Sequence, residues 1–190
     1  MTARAGIWIN AIAFQIAWTI TVAGAAHGNA WAGPLALLVF AAWQMSVSRN
    51  VRSDACLVAF AIVLGGSADS WLAHTQIVRY TAPWPSADFA PIWILALWAN
   101  LALTLNHSLA FLQRNLPLAA VLGALGAPLS YLIAARAWHA VALAEPLTTT
   151  LLALAALWAV ATPILGALAR TLARRDTQLT RAASAQGARP

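Results

Sequence analysis

Six long apolar runs, separated by short polar segments, constrain the fold of this chain more than any other feature. A helix rises about 1.5 Å per residue, so about 20 apolar residues are needed to cross the hydrocarbon core of a bilayer. The second run is short, and the others are close to that length. The runs occupy approximately residues 6–26, 33–48, 55–73, 90–112, 116–137 and 147–169.

The composition excludes a water-soluble fold. Apolar residues make up 62% of the 190 residues and charged residues only 8%, whereas a soluble domain carries about a quarter charged residues. In hydrocarbon the backbone must pair its own polar groups, which leaves helices or closed barrels, and the runs lack the alternation of barrel strands. We therefore predict an all-α polytopic membrane bundle of six transmembrane helices. An Arg-rich tail, residues 170–190, is expected to be a flexible, unstructured end or an anchor to anionic headgroups.

The basic residues are all arginines, and their positions indicate an orientation. Cytoplasmic segments of membrane proteins carry an excess of Lys and Arg. Only Arg79 and Arg136 fall on the side opposite to the other nine. We therefore predict that both termini are cytoplasmic, and that the net charge of +6 marks no nucleic-acid partner. The nine arginines are Arg4, Arg49, Arg52, Arg114, Arg170, Arg174, Arg175, Arg181 and Arg189.

The residue inventory disfavours the common membrane enzymes. Cys56 is the single cysteine, so neither an intramolecular disulfide nor a cysteine metal cluster is expected. The four histidines lack metal-ligand spacing, and a chain without lysine has no Walker A motif. Gly65-Gly66-Ser67 is followed by Ala68, which departs from the serine motif of rhomboid proteases. We expect no metal and no cofactor, and whether the protein is an enzyme stays open.

Two charged residues stand out because of their depth in the predicted membrane. Polar groups in a bilayer cost several kcal/mol when unpaired, so they face other helices, a cavity or a ligand. Asp69 is the one acid well inside a predicted span, and Arg136 lies at similar depth near the end of the fifth. An ion pair between them is geometrically possible. Asp69 has either a structural role or a role in substrate or proton transfer.

The fourth run carries the densest set of polar residues. Asn100, Thr104 and either His107 or Ser108 recur at helical spacing, which predicts that they share one face, and Asn106 belongs to the same polar set. Histidine is a common acid–base residue, so proton transfer is one role for His107, and interhelical hydrogen bonding, at about 1 kcal/mol for each bond, is the alternative. The candidate intramembrane polar site consists of Gln15, Asp69, Asn100, Asn106, His107, Tyr131 and Arg136.

A set of short motifs runs in order through residues 9–169. They are Phe14-Gln15, Trp18, Trp31, Gly33-Pro34, Asp69, Trp93, Trp98, Leu105 to Leu109, Gly123, Gly126, Pro128-Leu129 and Tyr131. In this order they resemble a small six-span bacterial inner-membrane family known only as a domain of unknown function. The resemblance implies no catalytic residues. It does imply an association with lipid or fatty-acid modification, because relatives tend to be encoded near lipid-methylating enzymes.

Three hypotheses of function follow. The first is a protein that binds a lipid or an apolar metabolite, as an accessory to a lipid-modifying system. The second is a small transporter or a substrate-capture subunit, for which membrane lipids and a membrane-protein partner are expected. The third is a membrane enzyme that uses Asp69 or His107 as an acid–base group. A joint site in the third case requires Asp69, Asn106, His107 and Tyr131 to converge on one cavity.

Overall fold

The computed structural model describes residues 3–48 and 50–187, and its main elements are six α-helices. Arg49 and Arg189, two of the arginines used to predict the orientation, lie outside the described residues. Two short strands and one 3-10 helix, Ala110–Gln113, complete the described structure. The elements are α1 (Ala3–Ala26), α2 (Ala32–Val47), α3 (Val51–His74), β1 (Val78–Tyr80), α4 (Ile92–Leu105), α5 (Leu116–Arg136), β2 (Val141–Leu143) and α6 (Leu147–Gly187).

Four of the helices are long and apolar enough to cross a membrane. They comprise residues Arg4–Ala26, Val51–His74, Leu116–Arg136 and Leu147–Asp176. Apolar side chains cover their outer faces; Leu125 and Leu152, for example, are 66% and 70% exposed. Water would disfavour such a surface, whereas lipid tails solvate it. The predicted bundle of apolar helices is confirmed for these four helices, and the architecture fits an integral membrane protein.

The two shorter helices are α2, with 16 residues, and α4, with 14. At 1.5 Å per residue they measure about 24 and 21 Å. Ten residues of α4 are buried, and it packs against α1, α2 and α3. The central position of α4 explains why a short helix with polar side chains is stable here, because protein rather than lipid surrounds it.

A two-stranded ribbon closes one end of the bundle, hereafter the strand end. β1 and β2 pair antiparallel, with Val78 opposite Leu143 and Tyr80 opposite Val141. The backbone bond from Thr81 N to Ala140 O, at 3.0 Å, continues the pairing. The all-α prediction does not include this ribbon, since strands of three residues are too short to produce an apolar pattern. Its consequence is that Tyr80 is held against the end of α3.

The structure differs from the predicted spans at two further places. The fourth run is helical only to Leu105 and continues as a turn, in which the side chains of Asn106 and Ser108 bond to Asp54 and Asn10 of other helices. The predicted common face on one helix therefore holds for Asn100 and Thr104, which are both buried in α4, and is wrong for His107, which lies beyond its end. The predicted unstructured tail is also wrong for residues 170–187, where Ala, Leu and Arg are strong helix formers and α6 continues to Gly187.

Candidate functional site

The Asp69 cluster, formed by Asp69, Tyr80, Trp98 and Tyr131, lies inside the strand end. Asp69 is fully buried on α3. Its Oδ1 accepts hydrogen bonds from the Tyr80 hydroxyl, at 2.6 Å, and from the Tyr131 hydroxyl. Its Oδ2 accepts one from Trp98 Nε1, at 2.6 Å. Because the three donors belong to β1, α4 and α5, this single carboxyl group connects four elements of the fold.

Tyr80 acts as a donor in this cluster. Tyr80 is the last residue of β1 and so belongs to the ribbon rather than to a helix, and its side chain is nearly fully buried. Burial raises the pKa of the Tyr80 phenol well above its ordinary value, and the adjacent Asp69 carboxyl raises that pKa further. The phenol therefore keeps its proton at neutral pH and donates it to the hydrogen bond with Asp69.

The Trp98 indole is held in a narrow space between two helices. A Cβ at Gly65 would lie 2.2 Å from the indole ring, so only glycine leaves room for it on α3. On the other side the ring stacks on Trp158 of α6, with centroids 4.2 Å apart and planes 15° from parallel. The position of the ring, and hence of the donor aimed at Asp69, is determined by packing on both faces.

A cavity of about 330 Å³ adjoins the Asp69 cluster between α1, α4, α5 and α6, and Tyr131 and Trp98 form part of its wall. Apolar and aromatic side chains dominate the rest. Gly126 lines the cavity, and a Cβ at this position would meet no atom within 4 Å. The other lining residues include Phe14, Gln15, Trp18, Val22, Trp93, Leu97, Leu101, Leu109, Leu122, Ile133, Trp158 and Thr162.

Two polar atoms of residues in the cavity wall lack partners. Within the described residues, neither Trp158 Nε1 nor Thr162 Oγ1 has a hydrogen-bond partner, although both are shielded from solvent. Thr162 Oγ1 faces α5, where a Cβ at Gly123 would lie 2.3 Å from it. Native proteins leave few buried polar atoms unpaired, so each unpaired atom calls for an explanation such as a catalytic role or an ordered water or ion. Trp158 and Thr162 thus hold unused hydrogen-bonding capacity next to the apolar surface of the cavity.

The Asp54 cluster, formed by Ser48, Asp54, Asn106 and His107, lies at the opposite end of the bundle. Asp54 is fully buried in the first turn of α3. Its Oδ2 is 2.6 Å from the Ser48 hydroxyl and 3.0 Å from His107 Nε2, and its Oδ1 accepts from Asn106 Nδ2 at 2.7 Å. A carboxylate bonded to one ring nitrogen orients an imidazole for acid–base chemistry, and the His107 side chain is 18% exposed.

Asp54 is the residue that sequence reasoning misses. The third span is predicted to begin at residue 55, which places Asp54 in a loop and leaves Asp69 as the one deep acid. An acid in the first turn of a helix interacts favourably with the positive end of the helix dipole. The helix in fact begins at Val51. In the sequence, this earlier start is indicated only by the acid at position 54 and by the hydroxyl residue Ser48 just upstream.

Asn10 forms a third polar centre beside the Asp54 cluster. Its Nδ2 donates to Gln44 Oε1 at 2.6 Å and to the Leu103 carbonyl at 3.1 Å. Its Oδ1 accepts from the Ser108 hydroxyl at 2.5 Å. Asn10 and Gln44 are both buried. These bonds join α1, α2 and the end of α4, and they assign Ser108 of the fourth run to hydrogen bonding between elements.

The structure divides the seven predicted site residues among several places. Asp69 and Tyr131 are in contact, whereas Asn106 and His107 contact Asp54, which is 15 residues or about 22 Å from Asp69 along α3. The four residues required for a joint acid–base site do not converge. Asn100 is buried, and its side-chain amide has no partner within the described residues.

Gln15 and Arg136 are the remaining two predicted residues. Gln15 is exposed on α1 and lines the apolar cavity. Arg136 is exposed at the strand end. The ion pair between Asp69 and Arg136, which the sequence leaves possible, is not formed; the Asp69 oxygens are bonded to the two tyrosines and Trp98 instead. Three neutral donors, rather than a cation, stabilise this carboxyl group.

Comparison with known proteins connects most of the chain to one family. A family model described as "Protein of unknown function (DUF2878)" matches residues 7–164, well over half of the 190 residues. Comparisons with curated proteins and with solved structures give no match. The resemblance that the order of the motifs predicts is confirmed, and the chain belongs to this family of unknown function.

Proposed function

We propose that this protein is a six-span protein of the bacterial inner membrane that binds a lipid or an apolar metabolite. On this proposal the two shorter helices, α2 and α4, cross the membrane together with the four longer ones. The central position of α4 supports this, since α4 packs against α1 and α3, which are both long enough to cross. The Asn10 bonds to Gln44 and Leu103 add support, because they join α1 to α2 and α4 at one depth.

We also propose that the end carrying the Asp54 cluster faces the cytoplasm. The support is the uneven distribution of arginines, since Arg79 and Arg136 lie at the strand end and the other described arginines lie toward the opposite end. In a Cys56→Ser background, Ala87→Cys is expected to react with an impermeant maleimide in intact cells, and Gln178→Cys only after permeabilisation. Both positions are exposed. The reverse labelling pattern would contradict this orientation.

The observation that carries the ligand proposal is the cavity of about 330 Å³ beside the Asp69 cluster. Its volume is at the lower end of the range for ligand pockets, about 300–1,000 Å³. An engineered apolar cavity of about 150 Å³ remains free of water and binds benzene. An apolar cavity twice that size favours an acyl chain or another apolar group over water, and its aromatic wall offers large flat contact surfaces.

Filling the cavity from Gly126 is the experiment that tests this proposal. The Gly126→Phe side chain is expected to enter the cavity without a clash, because no atom lies within 4 Å of the Cβ position. Native mass spectrometry of the protein purified in a mild uncharged detergent is expected to detect a co-purified lipid or metabolite on the wild type. On Gly126→Phe its occupancy is expected to fall at least tenfold.

The matched control is Leu125→Phe, which changes the adjacent residue of α5. Leu125 is 66% exposed and does not line the cavity, so the same aromatic group is added toward the lipid. Leu125→Phe is expected to keep full occupancy, and both variants are expected to unfold within a few degrees of the wild type. Equal occupancy on all three proteins, or no ligand on the wild type, would refute the proposal.

The accessory role in lipid or fatty-acid modification is the remaining part of the proposal. Its support is the family resemblance together with the apolar character of the cavity. A membrane-protein partner would be expected for such a role, and equally for a substrate-capture subunit of a transporter. An acid–base enzyme would now have to rely on His107 with Asp54, since Asp69 lies about 22 Å away along α3.

A further inference from the structure

A second cavity, of about 480 Å³, opens at the strand end beside the ribbon. Arg79 of β1, Arg136 of α5 and His139 of the following loop line it, and Glu145 is the one acid among its lining residues. Both arginines are exposed. The second cavity therefore carries an excess of positive charge, whereas the first cavity is apolar.

The two guanidinium groups are not used within the protein. Neither the Arg79 side chain nor the Arg136 side chain has an ion-pair or hydrogen-bond partner in residues 3–48 and 50–187. The Glu145 carboxylate is bonded to the Leu147 backbone N–H at 2.8 Å and forms no ion pair with either arginine. Two planar groups with five N–H donors each are thus available to an anion, and such groups suit carboxylate and phosphate oxygens.

The second cavity lies next to the first. Val141 of β2 contributes to the walls of both cavities. Tyr80 lines the second cavity and Tyr131 lines the first, and their hydroxyls meet at the same Asp69 oxygen. A charged region and an apolar region therefore adjoin each other, in the arrangement that an amphiphile requires.

We propose that the ligand is an anionic amphiphile whose carboxylate or phosphate group binds Arg79 and Arg136 while its chain occupies the apolar cavity. This inference rests on the proposed ligand-binding function and specifies the class of ligand. It also gives a role to the two arginines at the strand end, which the usual bias of arginine toward the cytoplasmic side leaves unexplained.

Titrations with dodecyl phosphate, dodecanol and inorganic phosphate test this proposal on the full-length protein in an uncharged detergent. Tryptophan fluorescence is a suitable readout because Trp93, Trp98 and Trp158 line the apolar cavity. Dodecyl phosphate is expected to bind at least tenfold more tightly than dodecanol, since a hydrogen bond to a charged group contributes a factor of about 10–150. Inorganic phosphate alone is expected to bind at least a hundredfold more weakly than dodecyl phosphate.

Arg79→Gln and Arg136→Gln are each expected to weaken the binding of dodecyl phosphate about tenfold or more, with little effect on dodecanol. Arg114→Gln is the matched control, because Arg114 is also exposed but lies at the opposite end. Equal binding of dodecyl phosphate to all three variants, or equal affinity of the wild type for dodecanol, would overturn the inference.

Tight binding of inorganic phosphate alone would also overturn it, because the site would then be one for free anions. These outcomes are distinguishable from failure of the proposed function. If Gly126→Phe abolishes dodecanol binding while the arginine variants change nothing, the apolar ligand site stands and the anionic headgroup is refuted.

Discussion

Asp69→Ala is expected to lower the free energy of unfolding by at least about 3 kcal/mol, the largest effect of any single truncation of a polar side chain in this protein. The alanine would leave three buried donors, on Tyr80, Trp98 and Tyr131, without an acceptor. Each unsatisfied buried group costs about 1–3 kcal/mol. For a chain of this size, 3 kcal/mol corresponds to a decrease of about 6–12 °C in the thermal midpoint, measured in detergent.

Asp69→Asn separates hydrogen bonding from the loss of side-chain volume. The asparagine keeps one carbonyl oxygen for the tyrosines but directs an N–H₂ group at Trp98 Nε1, so two donors face each other. We expect this variant to be destabilised, though less than Asp69→Ala. Asp88→Asn is the matched control, because Asp88 is an exposed acid in the loop at the same end. Wild-type stability of Asp69→Asn would contradict the role assigned to the carboxyl group.

The sequence is sufficient to predict the helices and insufficient to predict their polar contacts. Apolar runs predict helices because a bilayer imposes both composition and length, and four of the described helices meet that requirement. The contact between Asp69 and Tyr80 depends on the ribbon, which consists of two three-residue strands. The first strand begins at Val78 and the second at Val141, 63 residues later in the sequence. Nothing in the local pattern of either segment indicates that they pair.

Errors in the predicted site arise mainly where a residue lies at a boundary. Asp54 is one residue before the predicted start of the third span, and that single position separates a loop residue from a buried acid with three side-chain partners. Depth along a span also limits such predictions. Asp69 and Arg136 lie at similar depth, yet depth does not specify which direction around its helix each side chain takes, and Arg136 points to the exposed surface.

Gly65→Ala is the second substitution with a large expected effect, and we expect it to cost about 3 kcal/mol or more. The new Cβ would lie 2.2 Å from the Trp98 ring, which cannot retreat because Trp158 stacks on its other face. Overpacking a core costs about 1–3 kcal/mol. Displacing the ring would also weaken the hydrogen bond from Trp98 Nε1 to Asp69, which adds about 1.5–3 kcal/mol.

Gly66→Ala is the matched control for this substitution, since it makes the same change one residue further along α3. Its Cβ would lie 3.3 Å from the flexible end of Leu95, so a small movement accommodates it. Alanine is the better helix former by about 1 kcal/mol, which offsets that movement. The thermal midpoint of Gly66→Ala is therefore expected to stay within a few degrees of the wild type, whereas that of Gly65→Ala falls by about 6 °C or more. Equal midpoints for the two variants would show that the Trp98 ring has space to move, and the packing that orients it toward Asp69 would be refuted.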